Sequence, residues 1–103
     1  MSQNKGFLVA KVRITDQSRY DAHAPAYGKT TSLALAKHEG RTLVKGGRYA
    51  ALEGSAFERN VILEFPSFES AVAYFQSDEY QAAKALLKGA AEFEVLAVEG
   101  VAP

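Results

Sequence analysis

The sequence lacks cysteine altogether, and it also lacks any long apolar run. Without cysteine the chain has no disulfide bond, no thiolate zinc site and no cysteine nucleophile. No apolar stretch approaches the ~20 residues that span a bilayer, and residues 1–5 show no apolar signal core. We therefore expect a cytoplasmic protein that does not bind membranes, and the missing cysteines fit a reducing compartment.

An excess of charge of one sign is also missing. Lys plus Arg and Asp plus Glu each number 12, so the formal net charge is zero. Proteins that bind nucleic acids usually carry a basic excess or a basic stripe, so we expect no nucleic-acid partner. The apolar fraction of 48% and the charged fraction of 23% are ordinary for a folded protein. A length of 103 residues predicts one domain that spans residues 1–103.

Four segments show the patterns of β-strands. The first covers residues 6–14, and its even-numbered side chains from Leu8 to Ile14 are all apolar, whereas the odd-numbered ones are mixed. A second strand is predicted over residues 41–45, bent or bulged at Gly46-Gly47 and continued by residues 48–52. The third and fourth strands are predicted over residues 60–65 and 92–99.

Two helical regions separate these strands. Pro25 interrupts the first, which predicts a short helix around residues 18–23 and a longer one from Pro25 to Lys37. In the second region Ser67 is placed as a helix cap, and Ser77 as a second cap that restarts the helix. The apolar residues after Ser67 recur at the spacing of a helix with one buried face: Phe68, Ala71, Val72 and Phe75.

The order β-α-β-β-α-β predicts an α+β domain of ferredoxin-like type, a four-stranded antiparallel sheet with both helices on one face. A sheet face without helices should be polar if it meets water. Here both faces carry large apolar side chains, because Phe7 and Val9 oppose Leu8 and Ala10 in the first strand. This pattern predicts a homodimer that packs sheet against sheet. The alternative is a monomer whose second face is lightly apolar and covered by its terminal segments.

A block around the third strand and the second helix resembles a known family. Residues 64–69 (EFPSFE), followed by Ala71, Tyr74, Ser77 and residues 79–81 (EYQ), are similar to the domain-of-unknown-function family 1330 of the dimeric α/β-barrel superfamily. The similarity extends to residues 45–47, 52–54 and 99–100, and residues 23–27 are the least typical stretch. The resemblance implies a ferredoxin-like protomer whose two sheets form a barrel in the dimer, and it implies no established reaction.

No named catalytic motif is present, so candidate residues follow from their chemistry alone. Glu64 is expected on the sheet face away from the helices, where it either pairs with Lys11 or Arg13 or acts as an acid or base. His23 lies beside the helix break and can transfer a proton near neutral pH, or it is simply a surface or partly buried histidine. His38 fits a helix cap. With no third ligand evident, we expect no metal site and no cofactor.

Aromatic residues of the helices suggest where a ligand would bind. In related dimeric α/β barrels, pockets lie between the sheet and the helices. By that analogy Tyr20 and Tyr27 are expected to line a pocket, with Arg13 and Tyr80 as further pocket residues, although packing alone explains such aromatics. The resemblance, together with the aromatic first helix, implies a cofactor-independent enzyme of oxygenase, isomerase or lyase type on a small, largely apolar organic molecule, with His23 or Glu64 as base. A non-catalytic homodimer that binds a small ligand or another protein is the alternative.

Overall fold

The computed structural model describes residues 4–102. Met1–Gln3, which contributed to the expectation about targeting, and Pro103 lie outside the described residues. The elements follow one another as β1 (Gly6–Ile14), α1 (Gln17–Lys37), β2 (Arg41–Lys45), β3 (Arg59–Phe65), α2 (Phe68–Gln76), α3 (Asp78–Leu86) and β4 (Ala91–Glu99). This succession confirms the predicted α+β, ferredoxin-like order, with the second helical region divided in two.

The four strands form one antiparallel sheet in the order β2-β3-β1-β4. Its register places Leu8 and Ala10 of β1 beside apolar residues of both neighbouring strands. Leu8, for example, pairs with Leu63 of β3 and with Ala97 of β4. Because side chains alternate across a strand, all of these residues project to the same face, which the helices cover. The alternation in β1 therefore predicted the helix-covered face correctly.

The core lies between this face and α2. Leu8, Phe65 and Tyr74 are almost completely buried, and the rings of Phe65 and Tyr74 lie 5.2 Å apart between centroids. Tyr74 also contacts Tyr80 of α3, at 5.1 Å between ring centroids. This aromatic cluster fixes α2 and α3 on the sheet, because large rings remove much apolar surface from water.

Ser77 divides the second helical region as its sequence predicted. Its hydroxyl donates to the carbonyl oxygen of Tyr74 at 2.7 Å and accepts from the backbone N–H of Tyr80 at 3.2 Å. One side chain therefore closes the last turn of α2 and caps the first turn of α3. Ser67 caps α2 in the same manner, accepting from the N–H of Ser70 at 3.1 Å.

The predicted break in the first helix is wrong. α1 is continuous from Gln17 to Lys37 with Pro25 inside it, capped by Asp16, whose carboxylate accepts from the N–H of Arg19 at 3.0 Å. Pro25 lacks an N–H and so removes one intrahelical hydrogen bond. The hydrogen bonds on both sides of Pro25 keep the helix intact across that gap.

The predicted continuation of the second strand is also wrong. Gly46 and Gly47 both adopt positive φ angles, of 70° and 86°, which turn the chain out of the sheet after Lys45. Residues 48–52 belong to an exposed loop, and the irregularity within β2 falls between Thr42 and Val44. The backbone freedom of the glycine pair ends the strand rather than bending it.

The face of the sheet that carries no helix is apolar across its middle. We call it the open face, defined by the paired residues Val44, Ile62, Val9 and Leu96, one from each strand. Leu96 is 56% exposed, and Val98 next to this row is 45% exposed. Within residues 4–102, no helix is long and apolar enough to cross a membrane.

Candidate functional site

A cavity of about 600 Å³ lies between α1 and the helix-covered face of the sheet. The cavity exists because α1 packs closely against α3, whereas the backbone of α1 makes few contacts with the strands below this helix. The floor is formed by Leu8, Ala10 and Val12 of β1 together with side chains of β3 and β4. Its volume is within the range of about 300–1,000 Å³ that is usual for small-molecule sites.

Small residues on the two facing surfaces leave this space open. Ala10 projects from the middle of β1, and Ala24 and Gly28 face it from successive turns of α1. Interiors are normally packed to crystal-like density, so larger side chains at these positions would fill the gap. Apart from the adjacent residues and the backbone of α1 itself, no described heavy atom lies within 4 Å of where a β-carbon on Gly28 would stand, so the space below this part of α1 is open.

Four tyrosines bring phenol groups to the cavity walls. Tyr20 and Tyr27 project from α1, whereas Tyr74 and Tyr80 belong to α2 and α3. Burial raises the pKa of Tyr27 and of Tyr74 above its ordinary value, and burial raises the pKa of Tyr80 to about 12. These three phenols are therefore neutral at physiological pH, and a side-chain hydrogen bond between Tyr27 and Tyr80 contributes to the pKa shifts of both.

The mouth of the cavity is charged. Lys45 of β2 and Arg59 of β3 line it from the sheet side, and Asp21 and Lys29 line it from α1. Asp21 accepts a hydrogen bond from the Gln17 side chain at 2.8 Å. The apolar floor, the phenols and this polar mouth together can hold a small organic molecule with one polar end.

The structure brings three of the predicted pocket residues together and separates the others. Tyr20, Tyr27 and Tyr80 all line the cavity. Their role in binding a ligand stays a prediction. His23 is exposed on α1 and does not line the cavity. Arg13 lies on the opposite side of the sheet, with its guanidinium 4.2 Å from the centre of the Phe57 ring. The catalytic role of His23 stays a prediction.

Glu64 lies on the open face, where its expected ion-pair partners are not the ones found. Its carboxylate is 3.3 Å from the guanidinium of Arg41 and 3.7 Å from the ammonium of Lys5. The register explains the difference, because Glu64 pairs with Arg41 across β2 and β3, whereas Lys11 pairs with Asn60 and with Glu94. The side chain of Glu64 is only 16% exposed, so these cations reduce the cost of burying its charge. A catalytic role for Glu64 stays a prediction.

The sequence patterns did not predict the charged residues at the cavity mouth or the open space below α1. Arg59 precedes Val61 by two residues, so alternation along β3 places it on the helix-covered face, but the predicted strand began one residue later, at residue 60. Lys45 reaches the same face because it pairs with Val61. Ala24 and Gly28 lie one helical turn apart on the side of α1 that faces Ala10. Their small side chains could have indicated an unfilled space there. Among residues 4–102, no group of three or more potential metal-ligating side chains is gathered in one place.

Solved structures show the same fold at low sequence identity. A protein of unknown function from Rhodopseudomonas palustris is 18% identical, with a TM-score of 0.68 over 98% of this chain and 85% of that one. A dimeric protein of unknown function with a ferredoxin-like fold, from Bacteroides fragilis, is 15% identical, with a TM-score of 0.68 over 96% and 99%. A candidate antibiotic biosynthesis monooxygenase from Caulobacter crescentus is 15% identical, with a TM-score of 0.64 over 97% and 92%.

These similarities establish the fold, and the sequence itself establishes the family. No curated protein matches the chain. The profile of a domain of unknown function, DUF1330, matches residues 5–101, which is nearly the whole sequence and includes every strand and helix described above. The predicted family is therefore confirmed, and this chain belongs to the DUF1330 family.

Proposed function

We propose that this chain forms a homodimer whose cavity below α1 binds a small, largely apolar organic molecule and acts on it without a cofactor. The main support for this proposal is the cavity. It is large enough for such a molecule, its floor is apolar, and neutral phenols project into it from two sides. Because no reaction is assigned to the family, a cavity of this kind is the first candidate for an active site.

Tyr27 and Tyr80 support an enzymatic role of the oxygenase, isomerase or lyase type. Reactions of these types on carbonyl or phenolic compounds pass through species in which negative charge develops on oxygen. Neutral donors held in apolar surroundings stabilise that charge without the cost of reorganising water. The fold shared with the candidate monooxygenase from Caulobacter crescentus is consistent with this role at the level of fold alone. Proton transfer by His23 or Glu64 is not part of this proposal, since neither faces the cavity.

The dimer is proposed from the open face. Val9, Ile62 and Leu96 form an apolar band there that water would otherwise cover, and a second copy packed sheet to sheet would bury it. The protein of the same fold from Bacteroides fragilis is described as dimeric. In such a dimer the cavities lie on the outer sides of the two sheets and remain accessible to ligand.

A non-catalytic binding protein is the second candidate function. It is favoured by one specific observation, that the cavity walls present phenols and neither His23 nor Glu64. The two candidates share the cavity and differ only in turnover, so a substitution that keeps the cavity shape separates them. For an enzyme, the change Tyr27→Phe lowers kcat on a turned-over substrate far more than it raises KM.

Fluorescence titration with the neutral apolar dye N-phenyl-1-naphthylamine tests whether the cavity binds such molecules. The dye is expected to bind the unmodified protein, and Ala24→Phe is expected to weaken binding at least about tenfold by filling the space, which corresponds to ~1.4 kcal/mol. Ala22→Phe is the matched control, because Ala22 is exposed on the same helix and does not line the cavity. Equal loss in both variants, or no binding by the unmodified protein, would contradict the proposal.

A further inference from the structure

The cavity mouth contains a cationic group that the proposed chemistry has not used. We propose that the ligand is an organic acid, with its carboxylate bound by Arg59 and its apolar body lying over β1. This inference rests on the proposed small-molecule function and names the class of ligand. It is argued from the position, the pairing and the electrostatic surroundings of Arg59.

The guanidinium of Arg59 lies against a glycine of the turn after β2. A β-carbon on Gly46 would lie 2.8 Å from one guanidinium nitrogen of Arg59, so the guanidinium packs directly against the bare backbone of the turn. Gly46 has a φ of 70°, and its N–H donates to the carbonyl oxygen of Asn60 at 2.8 Å. The turn after β2 is thereby tied to β3, and it holds Arg59 at the wall of the cavity.

Arg59 has no acidic partner among residues 4–102. The ion pairs of that part of the chain are Lys5–Glu64, Lys37–Glu79 and Arg41–Glu64, and none includes a residue of the cavity mouth. Arg59 is partly buried as a residue, and its guanidinium presents five donors in a rigid fork. Those donors match the two oxygens of a carboxylate, which makes an anionic ligand group the natural partner.

The local charge balance also favours an anion. The lining of the cavity contains Lys29, Lys45 and Arg59 but only one carboxylate, that of Asp21, whereas the whole chain is neutral. An excess of positive charge around a concave, low-dielectric site attracts anions. The exposed ammonium groups strengthen this field without fixing a geometry, since long surface lysines hold their charge loosely.

The neighbourhood of Tyr27 indicates where the two ends of a ligand would lie. Arg59 and Tyr27 line the same cavity, Arg59 from β3 and Tyr27 from α1. The ring of Tyr27 in turn lies 6.2 Å from that of Phe93, beside the apolar floor. A carboxylate on Arg59 would therefore place an attached apolar ring beside Tyr27 and above the small side chain of Ala10.

Two isosteric competitors test this proposal. The naphthylamine dye is bound to the protein and then displaced by 2-naphthoate or by 2-naphthamide, which differ in charge and hardly in shape. The carboxylate is expected to displace the dye at a concentration about tenfold lower than the amide, because a charge-assisted hydrogen bond contributes more than a neutral one. Arg59→Gln is expected to remove this preference, and Arg59→Lys to keep part of it. Arg48→Gln, at an exposed loop position outside the cavity lining, is expected to change nothing.

The possible failures are distinguishable. If the dye binds but naphthoate and naphthamide compete equally, or if Arg59→Gln retains the preference, the acid proposal is overturned and the apolar cavity stands. If the dye does not bind at all, both proposals are overturned. Dye affinity in Arg59→Gln reports whether the cavity is intact. If that variant does not fold, the salt dependence of binding to the unmodified protein is measured instead. Raising NaCl from about 0.01 M to about 1 M shortens the Debye length from ~30 Å to ~3 Å, and it must reduce the preference for naphthoate over naphthamide.

Discussion

Leu96 of β4 lies directly opposite Val9 of β1 on the open face, and its side chain is 56% exposed. On the other side of β1, Ile62 pairs with Val9, and Val44 pairs with Ile62. One apolar side chain from each strand thus forms a continuous row across the sheet. Charged groups flank this row on both sides: the ion pair of Glu64 with Arg41 on one, and Lys11 paired with Glu94 on the other. An apolar centre with a polar rim is usual for a protein–protein interface.

The first prediction concerns assembly. Leu96→Glu is expected to convert the proposed dimer into a monomer, because the substitution places a carboxylate in the middle of the apolar row, where it would lose its water without a partner. Light scattering at micromolar concentration measures the mass. Leu33→Glu is the matched control, since Leu33 is 61% exposed on α1, away from the open face, and should remain dimeric. A monomeric mass for the unmodified protein would refute the dimer.

The second prediction concerns the phenols. Folding raises the pKa of Tyr27, Tyr74 and Tyr80, mainly through burial, so the folded state favours their neutral forms. In the unfolded chain tyrosine ionises near pH 10. The stability that these groups contribute is therefore complete below about pH 10, and it is lost as the pH rises toward the folded pKa, about 12 for Tyr80.

Two measurements check this expectation. Denaturant unfolding at a series of alkaline pH values should show the free energy of unfolding falling above about pH 10, with a smaller fall for Tyr27→Phe. Tyrosinate absorbance should show that part of the tyrosine content of the folded protein ionises at higher pH than the same chain in denaturant. Coincident titration curves for the folded and the denatured chain would show that the phenols are not buried as described.

The third prediction contrasts two glycines. A β-carbon on Gly6 would lie 2.2 Å from the carbonyl oxygen of Ser67, a backbone atom just before α2, whereas a β-carbon on Gly28 would meet nothing within 4 Å. Gly6→Ala is expected to lower the free energy of unfolding by about 1–3 kcal/mol, since the strand and the helix cap must separate. Gly28→Ala is expected to raise it by up to about 1 kcal/mol, since alanine is the better helix former. Thermal or denaturant unfolding measures both, and an equal effect of the two changes would be inconsistent with this packing.

Much of the fold could be predicted because it depends on local alternation and on caps. The apolar even-numbered side chains of β1 identified the covered face, and Ser67 and Ser77 identified two helix starts. Pro25 misled the prediction, because a proline removes one hydrogen bond from a helix but does not by itself break it. The glycine turn after Lys45 was recognised as unusual, but sequence alone does not distinguish a strand that bends from a strand that ends.

The candidate site could be predicted only in part. Tyr20, Tyr27 and Tyr80 were expected at a pocket because aromatic side chains with polar tips are typical of such walls, and the structure places all three there. The partners of Glu64 depend on which residues of separate strands lie opposite each other, and register between strands is not contained in the pattern of any one of them. Arg59 was missed for a different reason: the predicted third strand began at residue 60, although Arg59 lies on the same face of β3 as Val61.

The sparse contact between α1 and the sheet has a consequence for how a ligand would enter. Ala34 is the only residue of this 21-residue helix that is fully buried, and it lies near the C-terminal end. The first half of α1 is therefore joined to the domain by few core contacts and carries the proline gap, so its free energy of local opening should be well below that of the whole fold. A molecule would then enter or leave the cavity when the first half of α1 opens locally. The sheet, α2 and α3 would remain folded, so binding could proceed without global unfolding.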